Sequence, residues 1–146
     1  MIHRSHRVGP FPISVLSLIV ACVGLSCGRL SASRLEQGRT VAAAFLDEVR
    51  AGRIDPAWQG TTVEFKSLMG SDSLRDYTRT HPALQAPAEF VESRPVESSG
   101  GKLGEYQFRS TPPSKGRVKS PPSPKSIRLL ISFAEGTPRI ERLTSE

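Results

Sequence analysis

The stretch FLDEVRAGRIDPAW, residues 45–58, contains the end of one predicted helix and the beginning of the next. Phe45, Leu46 and Val49 lie at helical spacing and form part of one apolar stripe. A basic residue and then Gly52 follow, which is the usual pattern of a helix C-terminus. The stretch therefore predicts two helices joined by a tight turn.

The starts of both helices have candidate caps. The first helix is predicted over residues 33–51, with Ser33 as N-cap and Glu36, three residues later, as its partner in a capping box. Asp55 precedes a proline and is the predicted cap of the second helix, because proline fits the first helical position.

Two further helical segments follow. Thr61 is expected to cap a continuation of the second helix that runs to about residue 69. A third helix is predicted over 73–80, capped by Ser71 or Asp72. It should end before Pro82, because the residue before a proline is disfavoured in the α conformation.

The second half of the chain has the alternating pattern of strands. Glycine-containing segments at 98–101 and 135–138 are typical of turns between strands. Helices followed by strands predict an α+β fold, in which N-terminal helices pack against a curved, roughly four-stranded antiparallel sheet. The four strands are predicted at about 90–96, 105–109, 126–134 and 139–143.

A basic insert, residues 112–125, separates the second and third predicted strands. It has five prolines and no acidic residue, so we expect it to be extended. Its cations could contact lipid phosphates or an anionic envelope polymer, although a solvated linker is the simpler interpretation. They are Lys115, Arg117, Lys119 and Lys125.

The net charge of +6 comes from this insert and the N-terminal leader. After residue 27 there are 18 basic and 14 acidic residues, and removing the insert leaves the remainder formally neutral. A nucleic-acid partner is therefore not expected, because such binding needs a basic face on the fold itself.

Residues 1–27 have the organisation of a secretory leader. Two arginines precede an apolar run of 13 residues, which is shorter than the roughly 20 needed to span a bilayer. The leader is similar to bacterial lipoprotein signals, with Cys27 as the lipid-attachment residue, Cys22 as the alternative, and 28–33 as a tether. An ordinary cleaved signal and an uncleaved spanning anchor are the competing interpretations.

The segments FLDEVRAGRIDPAW, PAWQGTTVEFKSLM and HPALQAPAEF together resemble the nuclear-transport-factor-like (cystatin-like) α+β rolls, specifically small bacterial lipoproteins with that domain. The resemblance covers residues 34–146. It implies a sheet wrapped around the first helix, forming a conical pocket that serves as an active site, a ligand site or a plain core. The basic insert departs from the family pattern.

Five aromatic residues are candidates for lining such a pocket, although aromatic residues in these positions are more often plain core. They are Trp58, Phe65, Tyr77, Tyr106 and Phe108.

No catalytic set, metal site or cofactor site is predicted. His81 is the only histidine after the leader and lies at a predicted helix end. Asp47 and Glu48 are adjacent on a helix, about 100° apart, so they cannot face one pocket together. Asp72 and Asp76 share a helix face with two arginines, which is typical of a solvated charged surface.

These observations favour an exported, non-catalytic binding or accessory domain, lipid-anchored in the cell membrane or outer membrane and facing the periplasm or exterior. Besides the membrane, its candidate partners are an anionic envelope polymer, a small apolar ligand or another protein. One alternative is a pocket enzyme of the isomerase or cyclase type. Another is a soluble secreted or single-span anchored protein whose basic, proline-rich insert binds a partner. A buried carboxylate facing a cavity of a few hundred Å³ would favour the enzyme.

Overall fold

Helix α1 (Ala32–Arg50) begins two residues earlier than its predicted cap allows. In the computed structural model, which describes residues 30–98, 101–111 and 123–146, the N-cap is Ser31, whose hydroxyl accepts a bond from the Arg34 N–H at 3.3 Å. The predicted Ser33 cap is therefore wrong. The physical reason is that Leu30 and Leu35, on either side of the cap, both join the core and hold the chain at its entry.

Helix α2 (Ile54–Gln59) begins one residue before Asp55, so the predicted aspartate cap is also wrong. Gly52 has a φ of 77°, and the N–H of Arg53 donates to the Glu48 carbonyl at 2.9 Å, which closes the turn after α1. The turn is followed directly by Ile54, whose side chain is buried in the core. Burial fixes Ile54 as the first residue of the helix. Asp55 lies in the first turn instead.

Helix α3 (Val63–Leu68) is capped by Thr62, whose Oγ1 accepts from the N–H of Phe65 at 3.2 Å. The predicted cap, Thr61, has another role, because its hydroxyl donates to the Trp58 carbonyl and its backbone bridges to Ile140. Tertiary pairing with the sheet therefore displaces the cap by one residue.

Helix α4 (Ser71–Thr80) is preceded by Gly70, which offers no side-chain cap, so neither Ser71 nor Asp72 has the predicted role. The helix ends before Pro82 as predicted. A 3₁₀ turn, Pro82–Gln85, then leads to the sheet.

The sheet contains β1 (Ala88–Ser98), β2 (Gly101–Ser110), β3 (Lys125–Ser132) and β4 (Arg139–Ser145), in that order and all antiparallel. Each predicted strand is present, and pairing extends β1, β2 and β4 beyond their alternating cores. Register shifts at Val91 in β1 and Glu141 in β4 are bulges, which bend a sheet.

One predicted boundary is wrong in this region. Lys125, assigned above to the extended insert, is the first residue of β3 and pairs with Ser110. The pairing is a tertiary effect, because the proline-rich composition before Lys125 contains no strand signal. Residues 112–122 of the insert lie outside the described residues, as does most of the leader and tether, residues 1–29.

The helices cover one face of the sheet. From α1, the buried residues are Ala42, Phe45, Leu46 and Val49 together with Gly38. From the sheet, the helix-facing side chains of the core are Tyr106, Phe108, Ile127, Leu129, Ile131, Ile140 and Leu143. The fold class is therefore α+β, with helices packed on a four-stranded antiparallel sheet, as the sequence predicts.

Candidate functional site

The space between α1 and the sheet is occupied by Tyr106. This residue lies on β2, is 0% exposed, and donates its hydroxyl to the Leu35 carbonyl at 3.0 Å. Two glycines make room for it. A Cβ atom at Gly38 would lie 2.0 Å from the phenol oxygen, and one at Gly104 would lie 2.9 Å from the ring. The phenol therefore fills the position where a conical pocket was predicted.

Burial raises the pKa of Tyr106 to about 12, with the negative charge of Glu36 as a smaller cause. The hydroxyl is thus protonated at neutral pH. It acts as a hydrogen-bond donor that joins helix and sheet.

Two of the other candidate pocket residues also pack into the core. Phe108 meets Phe90 edge-on at 5.6 Å between ring centroids, and Phe65 meets Phe45 at 6.3 Å. Both are nearly inaccessible to solvent. They contribute to different parts of the core. Phe108 packs between β1 and α1, whereas Phe65 is the buried residue of α3.

The remaining two candidates are half-buried at the periphery. The Trp58 Nε1–H donates to the Met69 carbonyl at 2.8 Å, which ties α2 to the end of α3. The Tyr77 ring stacks on His81 at 3.8 Å, and its hydroxyl accepts from the Ser145 N–H at 3.0 Å. The structure therefore does not bring the five aromatic residues together around one cavity.

A small pocket lies between α1, the 3₁₀ turn and the sheet, with a volume of about 90 Å³. Its lining includes Ala43, Ala83, Ala88 and Phe108. It also includes Asp47 and Arg50, which form an exposed ion pair. Ligand pockets are commonly about 300–1,000 Å³, so this space is smaller than an ordinary ligand site.

Three depressions of about 230 Å³ each lie on the surface. One lies at the sheet end near Glu64 and Arg139, and its lining mixes polar and apolar residues. Another lies beside His81 and contains Lys125. The third lies between α3 and β4, where Leu68 is exposed.

The described acidic residues all have substantial solvent exposure. Several are paired with arginines. The hydrogen bond from Arg53 lowers the pKa of Glu48, and Asp72 and Asp76 pair with Arg75 and Arg79 as a solvated helix surface. In the part of the chain that the structure describes, no group of three or more metal-ligating side chains occurs.

Of the four predicted anion-contacting cations, Lys125 alone is described, and its side chain is exposed. Lys115, Arg117 and Lys119 lie outside the described residues, as do Cys22 and Cys27. Among the described helices, none has both the length and the apolar character needed to cross a bilayer.

Sequence reasoning missed a second group of cations, Arg109, Arg128 and Arg142. They lie on three neighbouring strands and are exposed. Each lies next to inward-facing residues of its strand, so the alternating pattern of the sequence indicated that its side chain is on the outer face of the sheet. Only the strand register shows that the three belong to one row.

Comparisons of this chain with protein-family models, with curated proteins and with solved structures find no match.

Proposed function

We propose that the protein is an exported, lipid-anchored domain that binds a partner at the cell envelope without catalysing a reaction. The observation that carries the binding role is the filled interior. Tyr106 occupies the space between α1 and the sheet, and its hydroxyl is already bonded to the Leu35 carbonyl. Because the interior is filled, we place the recognition of a partner on the outer surface of the domain.

The proposed placement at the envelope rests on the leader. Its basic start, its apolar run of 13 residues and its two cysteines match a lipoprotein signal, with Cys27 as the acylated residue. Two acyl chains would provide stable anchoring, because each buried CH₂ contributes about 0.8 kcal/mol. The proposed family, a nuclear-transport-factor-like roll, has the same helices-then-sheet order.

An isomerase or cyclase would require a base facing a cavity. The described carboxylates lie at the surface, and Asp55 and Asp72 are both engaged by Arg75. The pocket of about 90 Å³ beside Phe108 includes Asp47 in its lining, but that carboxylate is exposed and paired with Arg50. These features support a binding role over catalysis.

Labelling with radioactive palmitate in a bacterial host tests the anchor. We expect the full chain to incorporate label and to accumulate as an unprocessed precursor when globomycin blocks the lipoprotein signal peptidase. Cys27→Ser should abolish labelling, and Cys22→Ser should leave it intact. Labelling that survives Cys27→Ser but not Cys22→Ser would assign the anchor to Cys22. Absence of label in the wild-type chain would contradict lipidation.

A thermal-shift measurement with indole tests whether the interior is closed. The wild-type chain should show no rise in Tm with indole, because Tyr106 fills the available space. Tyr106→Ala should open a cavity of aromatic size, so indole should raise the Tm of that variant by mass action. A rise in the Tm of the wild type would instead support a ligand pocket inside the fold.

A further inference from the structure

The face of the sheet that is turned away from the helices carries three exposed arginines without a carboxylate partner. They are Arg109 on β2, Arg128 on β3 and Arg142 on β4. None of them forms an ion pair within 4.0 Å among the described residues. Every Asp and Glu of the sequence lies within those residues.

Most arginines in the described part of the chain are paired with an acid. Apart from these three and Arg34, each described arginine contacts a carboxylate. The paired ones are Arg39, Arg50, Arg53, Arg75, Arg79, Arg94 and Arg139. Three of the four described arginines without a carboxylate partner therefore lie on one face of the sheet.

The strand register places the three arginines on a straight diagonal, the arginine row. Arg109 pairs with Ser126, and Arg128 lies two residues further along β3. Arg128 pairs with Thr144, and Arg142 lies two residues away along β4. Diagonal neighbours on one sheet face are roughly 7–8 Å apart, so the row spans on the order of 15 Å.

The acids of the same face lie mainly toward β1. Glu105 is held by Arg94 at 2.8 Å, while Glu89 and Glu92 lie on the edge strand. Glu89 is opposite Arg109 in the register, yet the two form no ion pair. The row therefore runs away from these acids, toward β4.

The acids at β4 line surface depressions. Glu141 occupies the bulge and lines the depression between β4 and α3, beside Phe65 and Met69. Glu146 follows the strand and lines the depression near His81. Neither forms an ion pair with the arginine row among the described residues.

We infer that the arginine row binds a linear phosphate-bearing polymer. A guanidinium group is planar, always charged, and matches two phosphate oxygens at once. A small anion cannot span a row of about 15 Å set by the diagonal spacing. Successive phosphates of one chain can engage all three arginines, because every contact after the first is intramolecular.

The outer face lacks aromatic side chains on which a base or a sugar ring could stack. Nucleobases and sugar rings are commonly held by stacking on aromatic side chains. The aromatic residues of the described strands, Phe90, Tyr106 and Phe108, belong to the helix side of the sheet. Recognition on the outer face therefore depends on charge and guanidinium geometry.

This inference rests on the proposed binding role and names its partner by chemistry. The test is a calorimetric titration of the full chain, in a non-ionic detergent, with long-chain inorganic polyphosphate. We expect salt-sensitive binding, because exposed charges are screened by ions. Replacing Arg109, Arg128 and Arg142 together with Gln should weaken it by about five-fold per arginine, or roughly a hundred-fold in total.

A matched control removes the same charge from the helical layer. The variant Arg50→Gln/Arg75→Gln/Arg79→Gln loses three arginines that are paired with acids, and should bind polyphosphate within about two-fold of wild type. A Lys version of the row keeps its charge but loses bidentate geometry, so its affinity should fall between those of wild type and the Gln variant. Unchanged far-UV circular dichroism verifies the fold of each variant.

Several results would overturn the inference. One is equal polyphosphate binding by the Gln variant and the wild type, which would assign binding to other cations. Another is orthophosphate or polygalacturonate binding as tightly as polyphosphate at equal charge concentration. A third is a row-dependent preference for phosphatidylglycerol vesicles without polyphosphate binding, which would make the partner a membrane.

Failure of this inference can be separated from failure of the proposed function. Normal palmitate labelling with no polyphosphate binding would contradict the arginine row alone. Polyphosphate binding through the row without palmitate labelling would contradict the anchor alone.

Discussion

Gly38 determines how closely α1 can approach the sheet. It lies in the middle of the helix, where glycine is ordinarily less favourable than alanine by about 1 kcal/mol. Here the missing Cβ leaves room for the Tyr106 phenol and for the edge of Phe133. A residue that weakens the isolated helix therefore permits the central helix–sheet contact.

We predict that Gly38→Ala destabilises the protein by about 1–3 kcal/mol, because the new Cβ would overlap Tyr106 and the core must shift. The control is Gly60→Ala. Gly60 has a φ of −73°, and a Cβ there would meet only ordinary contacts, so this substitution should be neutral or stabilising. Urea denaturation of both variants measures the difference, and a stabilised Gly38→Ala would contradict the predicted close approach.

Tyr106 also makes a prediction about alkaline pH. Its pKa is raised to about 12 in the folded protein, while an unfolded tyrosine titrates near pH 10. Between these values the unfolded state has lost the proton and the folded state retains it. The free energy of unfolding should therefore fall as pH rises from about 10 to about 12.

Tyr106→Phe removes this titration, so its stability should decline less steeply over the same pH range. At neutral pH the variant should lose about 1 kcal/mol with the bond to the Leu35 carbonyl. Chemical denaturation of both proteins at a series of pH values measures the slopes. Parallel slopes would show that Tyr106 titrates normally.

At the scale of elements, the two edges of the sheet are protected in different ways. β1 has a bulge at Val91 and contains Pro95, which is tolerated in an edge strand. β4 is covered at both ends, where the Thr62 N–H donates to the Ile140 carbonyl and the Ser145 N–H donates to the Tyr77 hydroxyl. Such devices limit pairing with other chains.

Thr62 combines two of these element-scale roles, as the cap of α3 and as the contact to β4. Thr62→Ala should reduce the free energy of unfolding by about 1 kcal/mol, because the Phe65 N–H loses its acceptor. Thr62→Ser keeps a hydroxyl and should recover most of that loss.

The matched control is Thr137→Ala in the exposed turn between β3 and β4, where we expect a change within about 0.5 kcal/mol. Thermal unfolding followed by circular dichroism compares the three variants. A loss at Thr137 as large as the loss at Thr62 would argue against a specific capping effect.

At the scale of the whole molecule, one core cluster joins all four helices to the sheet. It includes residues from α1 through β4, such as Phe45, Phe65, Leu74 and Ile131. Elements that share one core are expected to unfold together, because none can expose its apolar face alone.

The single tryptophan allows a test of this cooperativity. Trp58 is tied to Met69 by its Nε1–H and packs against the core. Its fluorescence should change over the same urea range as the far-UV circular dichroism, which reports the whole chain. An earlier fluorescence transition would show that α2 and α3 separate from the sheet before global unfolding.

The order of elements could be predicted from the sequence because it follows from local periodicity. Helical spacing in 45–58, the Gly52 stop and the alternation in β3 and β4 each depend on neighbouring residues. The same local information placed the caps of all four helices wrongly. Ser31 is the cap of α1 because Leu30, directly before it, is held in the core. Thr62 is the cap of α3 because its own N–H is bonded to the Ile140 carbonyl of the sheet.

The contents of the predicted site depended on contacts between distant residues. Tyr106 and Gly38 are far apart in sequence, and nothing near either residue indicates that a phenol will occupy the absent Cβ position. Arg109, Arg128 and Arg142 likewise form a row only through strand register. Local chemistry thus determined which helices and strands form, while long-range packing and pairing decided what fills the interior and which charges share a face.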